Sequence, residues 1–267
     1  MESPLPINTT NLSPTTELYE AMEKAYSHFN EELFKGELPP VVFTVQRSGS
    51  SILGYFASNR WNSVDGKKAH EISINPVHVA KSCQMKVLSV LVHEMAHAWQ
   101  QCFGKPSRGG YHNKQWAYKM SEIGLMPSNT SQPGGDITGE QMSHYIIQDG
   151  AFYKSYQNLV SKKGYEWYWM DSLAWPLPSE ITIAKVKDPD LLIRKPKTTP
   201  VETLNWSDFE ESPFTSFVGE NVIRDWQSDI QKNKVTYHCE ECNTKVWGKP
   251  DLNIVCGECD SQMFSLS

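Results

Sequence analysis

The chain has 267 residues, 39% of them apolar and 21% charged, and a net charge of −6. That is enough for one good-sized core plus a small second unit, and the acidic balance argues against a strongly basic nucleic-acid binder while leaving room for a local basic patch. No stretch approaches the ~20 continuous apolar residues of a membrane span, and residues 1–6 lack the basic start and apolar core of a signal peptide, so the expectation is a non-secreted protein without a membrane partner, cytoplasmic, or nucleoid or nuclear if it works on DNA.

Residues 1–15 read as a disordered lead. From 16 to 34, Leu18, Met22, Ala25, Tyr26, Phe29 and Leu33 recur at helical spacing. Gly36 ends that helix, and Pro39-Pro40 keep the chain extended. Val41-Val42-Phe43-Thr44-Val45 is a strand, residues 52–57 a second, and residues 70–74 a third after the Asp65-Gly66 turn. A long helix follows, built on the apolar run Val87-Leu88-Ser89-Val90-Leu91-Val92 and stopped by Gly104 and Pro106. Another helix spans about Lys114 to Ile123 and is closed by Gly124. One helix, about three strands and a helix pair make an α+β layout.

Residues 128–138 read as a polar loop. Tyr145, Phe152, Tyr153, Tyr156, Tyr165, Trp167, Tyr168, Trp169 and Trp175 follow, and residues 128–180 read as an accessory region packing on the core rather than as a substrate platform. In 181–199, Lys185, Lys187, Arg194, Lys195 and Lys197 stand against Asp188 and Asp190, and Pro189, Pro196 and Pro200 interrupt the stretch. Residues 181–231 thus read as a linker with room for short ordered pieces.

The most informative residues are His93-Glu94-Met95-Ala96-His97, an H-E-x-x-H, the signature of a zinc-dependent hydrolase. Residues four apart share one face of a helix, so both imidazoles can reach one ion. Glu94 is then placed to take a proton from a water whose pKa zinc lowers to about 7. The pattern also arises by chance, and two histidines on a helix are usually a solvated face. Here the helix is apolar enough to be buried. Hiding His, Glu and His unpaired is costly, and metal ligation supplies the reason to do so.

A catalytic zinc usually takes three protein ligands. His112, separated from His97 by fourteen residues, is the candidate third, because Gly109 and Gly110 let the backbone turn back toward the first helix. Gln101 to Gly104 offers no histidine for the short H-E-x-x-H-x-x-G-x-x-H arrangement. Glu122 is the rival ligand. His70, His78 and His144 read as surface or core histidines, and Cys83 and Cys102 as small, packed, reduced thiols.

Cys239-x-x-Cys242 and Cys256-x-x-Cys259, 13 residues apart, have close to zinc-ribbon spacing. Four thiolates close a tetrahedron and leave no open position, so this second zinc is expected to be structural. Residues 232–267 are too few to fold on apolar burial alone. Gly257 suits the tight turn of the second knuckle, and Tyr237 and Trp247 read as a small core rather than as surfaces for stacking bases.

Three segments carry a resemblance: Phe29-Asn30-Glu31-Glu32-Leu33-Phe34-Lys35-Gly36-Glu37-Leu38-Pro39, then Val92-His93-Glu94-Met95-Ala96-His97-Ala98, then Gly110-Tyr111-His112-Asn113 with Trp116. Over about residues 16–127 the chain resembles the SprT/Spartan metallopeptidase domain, and its ribbon is similar to that of SprT-like proteins. The resemblance implies a zincin-like fold, His93, His97 and His112 as ligands of a catalytic Zn2+, Glu94 as the general base, and, as in the family's studied branches, cleavage of proteins covalently trapped on DNA. Residues 128–231 have no counterpart in the short bacterial SprT-like proteins. The expected activity is that of a zinc endopeptidase acting on protein or peptide substrates, with DNA, single-stranded or carrying bound protein, as a further partner. The alternatives are a non-catalytic nucleic-acid or transcription-complex adaptor with two structural zincs, which has no use for Glu94, and hydrolysis of a non-peptide amide.

Overall fold

The computed structural model describes residues 12–47, 52–161, 165, 167, 169, 171, 181–186, 189, 193, 202–204 and 235–266. Helix α1 (Pro14–Phe34) starts two residues before the expected position, because Ser13 caps it and accepts a bond from the Thr16 N–H. Residues 1–11 of the expected lead lie outside the described residues. The apolar face of α1 is buried from Ala21 to Phe34, as its spacing predicts. Lys35 and Gly36 then turn the chain in the left-handed region.

Strands β1 (Val41–Val45), β2 (Gly54–Asn62) and β3 (Lys68–Ile74) form a sheet in the order β1-β3-β2. β3 runs parallel to β1 and antiparallel to β2, which leaves β2 at the edge. Phe43, Ile72 and Ile74 point into the core. On the opposite face the buried Glu71 carboxylate accepts bonds from Tyr55, Trp61 and Thr44 at 2.6–3.0 Å. These donors hold its pKa below the usual carboxylate value although its burial acts the other way. β2 extends five residues beyond its expected end. Its outer half is exposed, and its register shifts between Ala57 and Trp61 around the left-handed Asn59.

A short helix, α2 (Pro76–Lys81), was not foreseen. Asn75 caps it, and six residues are too few to show a period. Helix α3 (Gln84–Phe103) is buried without a break from Met85 to Ala96 and packs on β2, β3 and α1. A buried helix of this kind is what the apolar run ahead of the motif implies. Helix α4 (Lys114–Glu122) is capped by Asn113.

Strands β4 (Leu125–Ser128), β5 (Ser143–Ile147), β6 (Ile183–Lys185) and β7 (Glu202–Leu204) form a second sheet in that order, with helix α5 (Ala151–Ser161) between β5 and the parallel β6. Ile181, Ile183 and Ala184 are buried, so the stretch expected as a linker is part of the folded unit at its start. Phe152, Tyr153, Tyr156, Tyr165 and Trp167 lie in the main core, and Tyr145 lies in a smaller cluster with Met126 and Ile147. Trp169 is partly exposed and donates its indole N–H to Glu17 at 2.7 Å. Tyr168 and Trp175 fall outside the described residues.

Gly124 joins α4 to β4 at φ +87°, and a Cβ there would come within 2.8 Å of the backbone nitrogens of Ala151 and Phe152. Both the dihedral and the close approach demand glycine. Gly124→Ala is expected to cost more than about 1 kcal/mol, read as a lower midpoint in urea unfolding. An unchanged midpoint would contradict the strain.

The chain divides into two compact units, residues 1–218 and 219–267. The second holds an antiparallel sheet of β8 (Val235–His238), β9 (Lys245–Gly248), β10 (Ile254–Val255) and β11 (Gln262–Leu266) in the order β10-β11-β8-β9. Its buried apolar centre is Tyr237, Cys239, Cys256 and Met263.

Candidate metal centres

His93, Glu94 and His97 lie on the inner face of α3, where His93 and Glu94 are buried among the packed elements. His112 comes from the loop ahead of α4. Gly109 and Gly110 both adopt positive φ, the backbone reversal that the sequence implied. Asn113 fixes the far end of this loop. Its side-chain oxygen accepts from the Trp116 N–H and from Gln100, and its amide donates to Lys105 O and Ser107 Oγ. The three histidines each offer a ligand atom, all within 4.8 Å of one another. Trp116, fully buried, packs its ring 4.4–5.3 Å from all three imidazoles.

The electrostatics suit a cation-binding site. Burial and the neighbouring imidazoles hold His93 well below its ordinary pKa of 6.5, burial and His112 push His97 down to about 3, and burial lowers His112. All three are neutral near pH 7 and present lone pairs. On His112, Nδ1 donates to the Gly139 carbonyl at 3.1 Å, which leaves Nε2 for a ligand. Three neutral imidazole nitrogens form a set consistent with zinc. Glu94, buried beside them, accepts from the Phe56 backbone N–H of β2, and burial raises its pKa to about 8.

Glu122, the rival ligand, is ion-paired with Lys119 at 3.1 Å and is not part of the histidine group. His70 accepts from the Asn59 N–H. Cys83 is buried and caps α3, but Cys102 is exposed, with its sulfur 3.7 Å from His70 Nε2, so the packed-thiol reading fails for Cys102. His144 on β5 is buried as a core histidine should be, yet it also touches the site, with Nδ1 3.2 Å from His93 Nδ1. The region read as accessory, residues 128–180, also contributes, because Gly139 pairs with the His112 backbone in both directions. Both contacts bridge distant parts of the chain, and no local spacing announces them.

A cleft of about 650 Å³ opens over Glu94 and the histidines, bordered by β2 from Gly54 to Phe56 on one side and by residues 140–144 on the other. Gly54 lets the strand approach α3 closely, since a Cβ there would meet Val90 at 3.1 Å and Glu94 at 3.6 Å.

In the second unit, Cys239, Cys242, Cys256 and Cys259 also bring their sulfurs within 4.8 Å of one another and can hold a metal ion. The two knuckles repeat each other. Cys239 N–H donates to Thr244 O, Cys256 N–H to Ser261 O, and the left-handed residue is Asn243 in one and Asp260 in the other. Gly257 is not at positive φ, so the turn rests on Asp260 instead. The Ser261 hydroxyl and the Cys242 N–H pull the Cys239 thiol down to about 6, whereas its bond with Cys242 and burial push Cys259 up to about 12. A dication relieves the repulsion between close thiolates that such a split reflects. Tyr237 is buried, donating to Lys249 O and accepting from the Leu252 N–H. Trp247 is 72% exposed, which overturns its reading as core.

Among the described residues no helix is long and apolar enough to cross a membrane. Residues 22–133 match the model of the SprT-like family. An uncharacterized protein in the mucB 3′ region of Salmonella typhimurium is 44% identical over 48 residues, covering 18% of this chain and 64% of that protein. No solved structure matches the chain. With the helix-borne His-Glu-x-x-His and the returning His112 inside the matched segment, residues 22–133 of this chain are a SprT-like domain.

Proposed function

We propose that the chain is a zinc-dependent endopeptidase of zincin-like design, with His93, His97 and His112 as ligands of a catalytic zinc and Glu94 as the general base. The observation that carries this reading is the convergence of three neutral imidazoles beside a buried glutamate, in a cleft bordered by a sheet edge. Zinc in such a site acts as a Lewis acid toward water and a substrate carbonyl.

The protein's own residues supply the rest. Glu94 removes a proton from the attacking water and returns it to the departing amine. Among the described residues β2 pairs with β3 along one side only, so an extended peptide can add along its other side through main-chain bonds, with little demand on sequence. That mode leads a scissile carbonyl along Gly54 to Phe56 toward Glu94.

The substrates are proteins held on DNA, and the second unit is the recruiting element. Trp247 pairs with Thr236 and Phe264 with His238. Thr236 and His238 are two apart on one strand, so both aromatic rings share a face. Trp247 and Phe264 are exposed, and Lys245 belongs to the same row as His238 and Phe264. Such surfaces stack on unpaired bases. The four cysteines hold a structural zinc.

The test is cleavage of a DNA-binding protein by the zinc-loaded full chain, with and without single-stranded DNA. Cleavage stimulated by DNA is expected. Cleavage indifferent to DNA would remove the recruiting role and keep the peptidase, and no cleavage of any protein by zinc-loaded chain would favour the adaptor.

A further inference from the structure

We infer that His144 and Ser89 form a positioning relay that fixes the tautomer of His93 and so prepares its Nε2 to ligate zinc. The inference rests on the reading of His93 as a zinc ligand and assigns a task to a part of the chain beyond the SprT-like segment. That segment ends at residue 133, whereas His144 sits on β5 and is buried to 3% exposure.

Ligation through one imidazole nitrogen requires that nitrogen to be unprotonated, and in a neutral ring the bond made by the other nitrogen decides where the proton goes. For His112 the matter is simple: the partner of Nδ1 is the Gly139 carbonyl, which can only accept. The partner of His93 is another imidazole, His144 Nδ1 at 3.2 Å, and an imidazole nitrogen can either donate or accept. A third group must break that ambiguity.

Ser89 is that group. Its single hydroxyl proton is donated to Lys86 O at 2.8 Å. Toward His144 Nε2, 2.9 Å away, Ser89 Oγ is therefore an acceptor. His144 carries its proton on Nε2, its Nδ1 accepts, and His93 must donate from Nδ1. His93 Nε2 is then left with its lone pair free. The reverse polarity, with Ser89 donating to His144, would place a proton on His93 Nε2 and block the ligand. Ser89 lies one helical turn before His93 on α3 and has no exposure, so it serves the relay through the same rigid helix that carries the ligands.

The expected loss on breaking such an outer contact is about 10–100-fold in metal affinity. The experiment uses the full chain with its four cysteines already loaded with Zn2+. It measures Zn2+ affinity at the histidine site by competition with a chelator, and imidazole nitrogen-15 shifts while that site is metal-free. The wild type is expected to show His93 protonated on Nδ1 and His144 on Nε2. His144→Ala should lose the affinity and the fixed His93 tautomer together. His144→Asn, whose side-chain oxygen can take the place of Nδ1 as acceptor, should restore both. Ser89→Ala should leave mixed tautomers at His144 and His93.

A metal-free wild type with His93 protonated on Nε2 would overturn the relay, as would His144→Ala with wild-type affinity, or with a weakened site and an unchanged His93 tautomer. Should His144→Ala fail to fold, the Asn and Ser89→Ala variants decide: unchanged tautomers in Ser89→Ala overturn it. Wild-type protein that takes up no Zn2+ at the histidines would instead overturn the ligand reading, while the tautomers would still report on the relay.

Discussion

Glu94→Gln is expected to retain zinc at both sites and to lose roughly 10²–10⁴-fold in cleavage rate, the usual range for removing a general acid–base. Gln matches Glu in size and can still accept from the Phe56 N–H that the carboxylate uses, so the cleft should keep its shape. What disappears is the capacity to take and return a proton. The same carboxyl gives a second, independent readout in metal-free protein. Burial lifts its pKa from 4.5 to about 8, so the folded state holds the proton more tightly than the unfolded chain does. The stability this contributes is complete below about pH 4.5, and it is lost as the pH rises through 8. Metal-free wild type should therefore lose stability across that window relative to Glu94→Gln, by an amount on the order of a few kcal/mol. Bound zinc should remove most of the difference, because a nearby dication favours the carboxylate. Cleavage assays, zinc analysis and urea titrations at several pH values measure all three quantities. Wild-type cleavage by the Gln variant would sink the mechanism, and parallel pH profiles in the two metal-free proteins would show that Glu94 is not desolvated as described.

The residues of this site differ in how far the sequence could reveal them. His93, Glu94 and His97 were legible because ligation from a helix imposes a fixed spacing, and the burial of α3 follows from its apolar run. His112 was legible through Gly109 and Gly110, whose positive φ values turn the chain back. His144 was not, since its bond to His93 spans 51 positions between a helix and a strand of another sheet, and no local period records such a contact. The same limit hid β6, a three-residue strand in a stretch rich in charge and proline. Its Ile183 and Ala184 are buried by pairing with β5 and β7 rather than by an alternation of their own. The outer half of β2 was missed for a different reason: its residues are exposed and, apart from Trp61, polar, so burial never selected the pattern that announces a strand.

Removal of zinc from the four cysteines is expected to unfold residues 235–266, with the histidine-bearing unit remaining folded. The argument is one of size. Among its described residues that small unit buries only Tyr237, Cys239, Cys256 and Met263 as its apolar centre, and each fully buried large side chain contributes about 1.5–3 kcal/mol. Ordering each backbone residue costs about 1–2 kcal/mol, so hydrophobic burial alone falls well short. Structural zinc supplies about 10–16 kcal/mol of apparent binding energy in comparable small domains near neutral pH, and all of it is folding energy if the unfolded chain holds no preformed site. Cys239→Ser should have nearly the effect of a chelator, because it removes one of the four thiolates, and that residue is itself fully buried. The main unit, by contrast, has a core running from α1 through α5 and should keep its cooperative transition. Amide hydrogen exchange resolves the two: protection in β8 and β11 should collapse on chelation while protection in α3 persists. Persisting protection in β8 and β11 without metal would mean that the sheet stands on its own packing and that the four cysteines serve some purpose other than folding it.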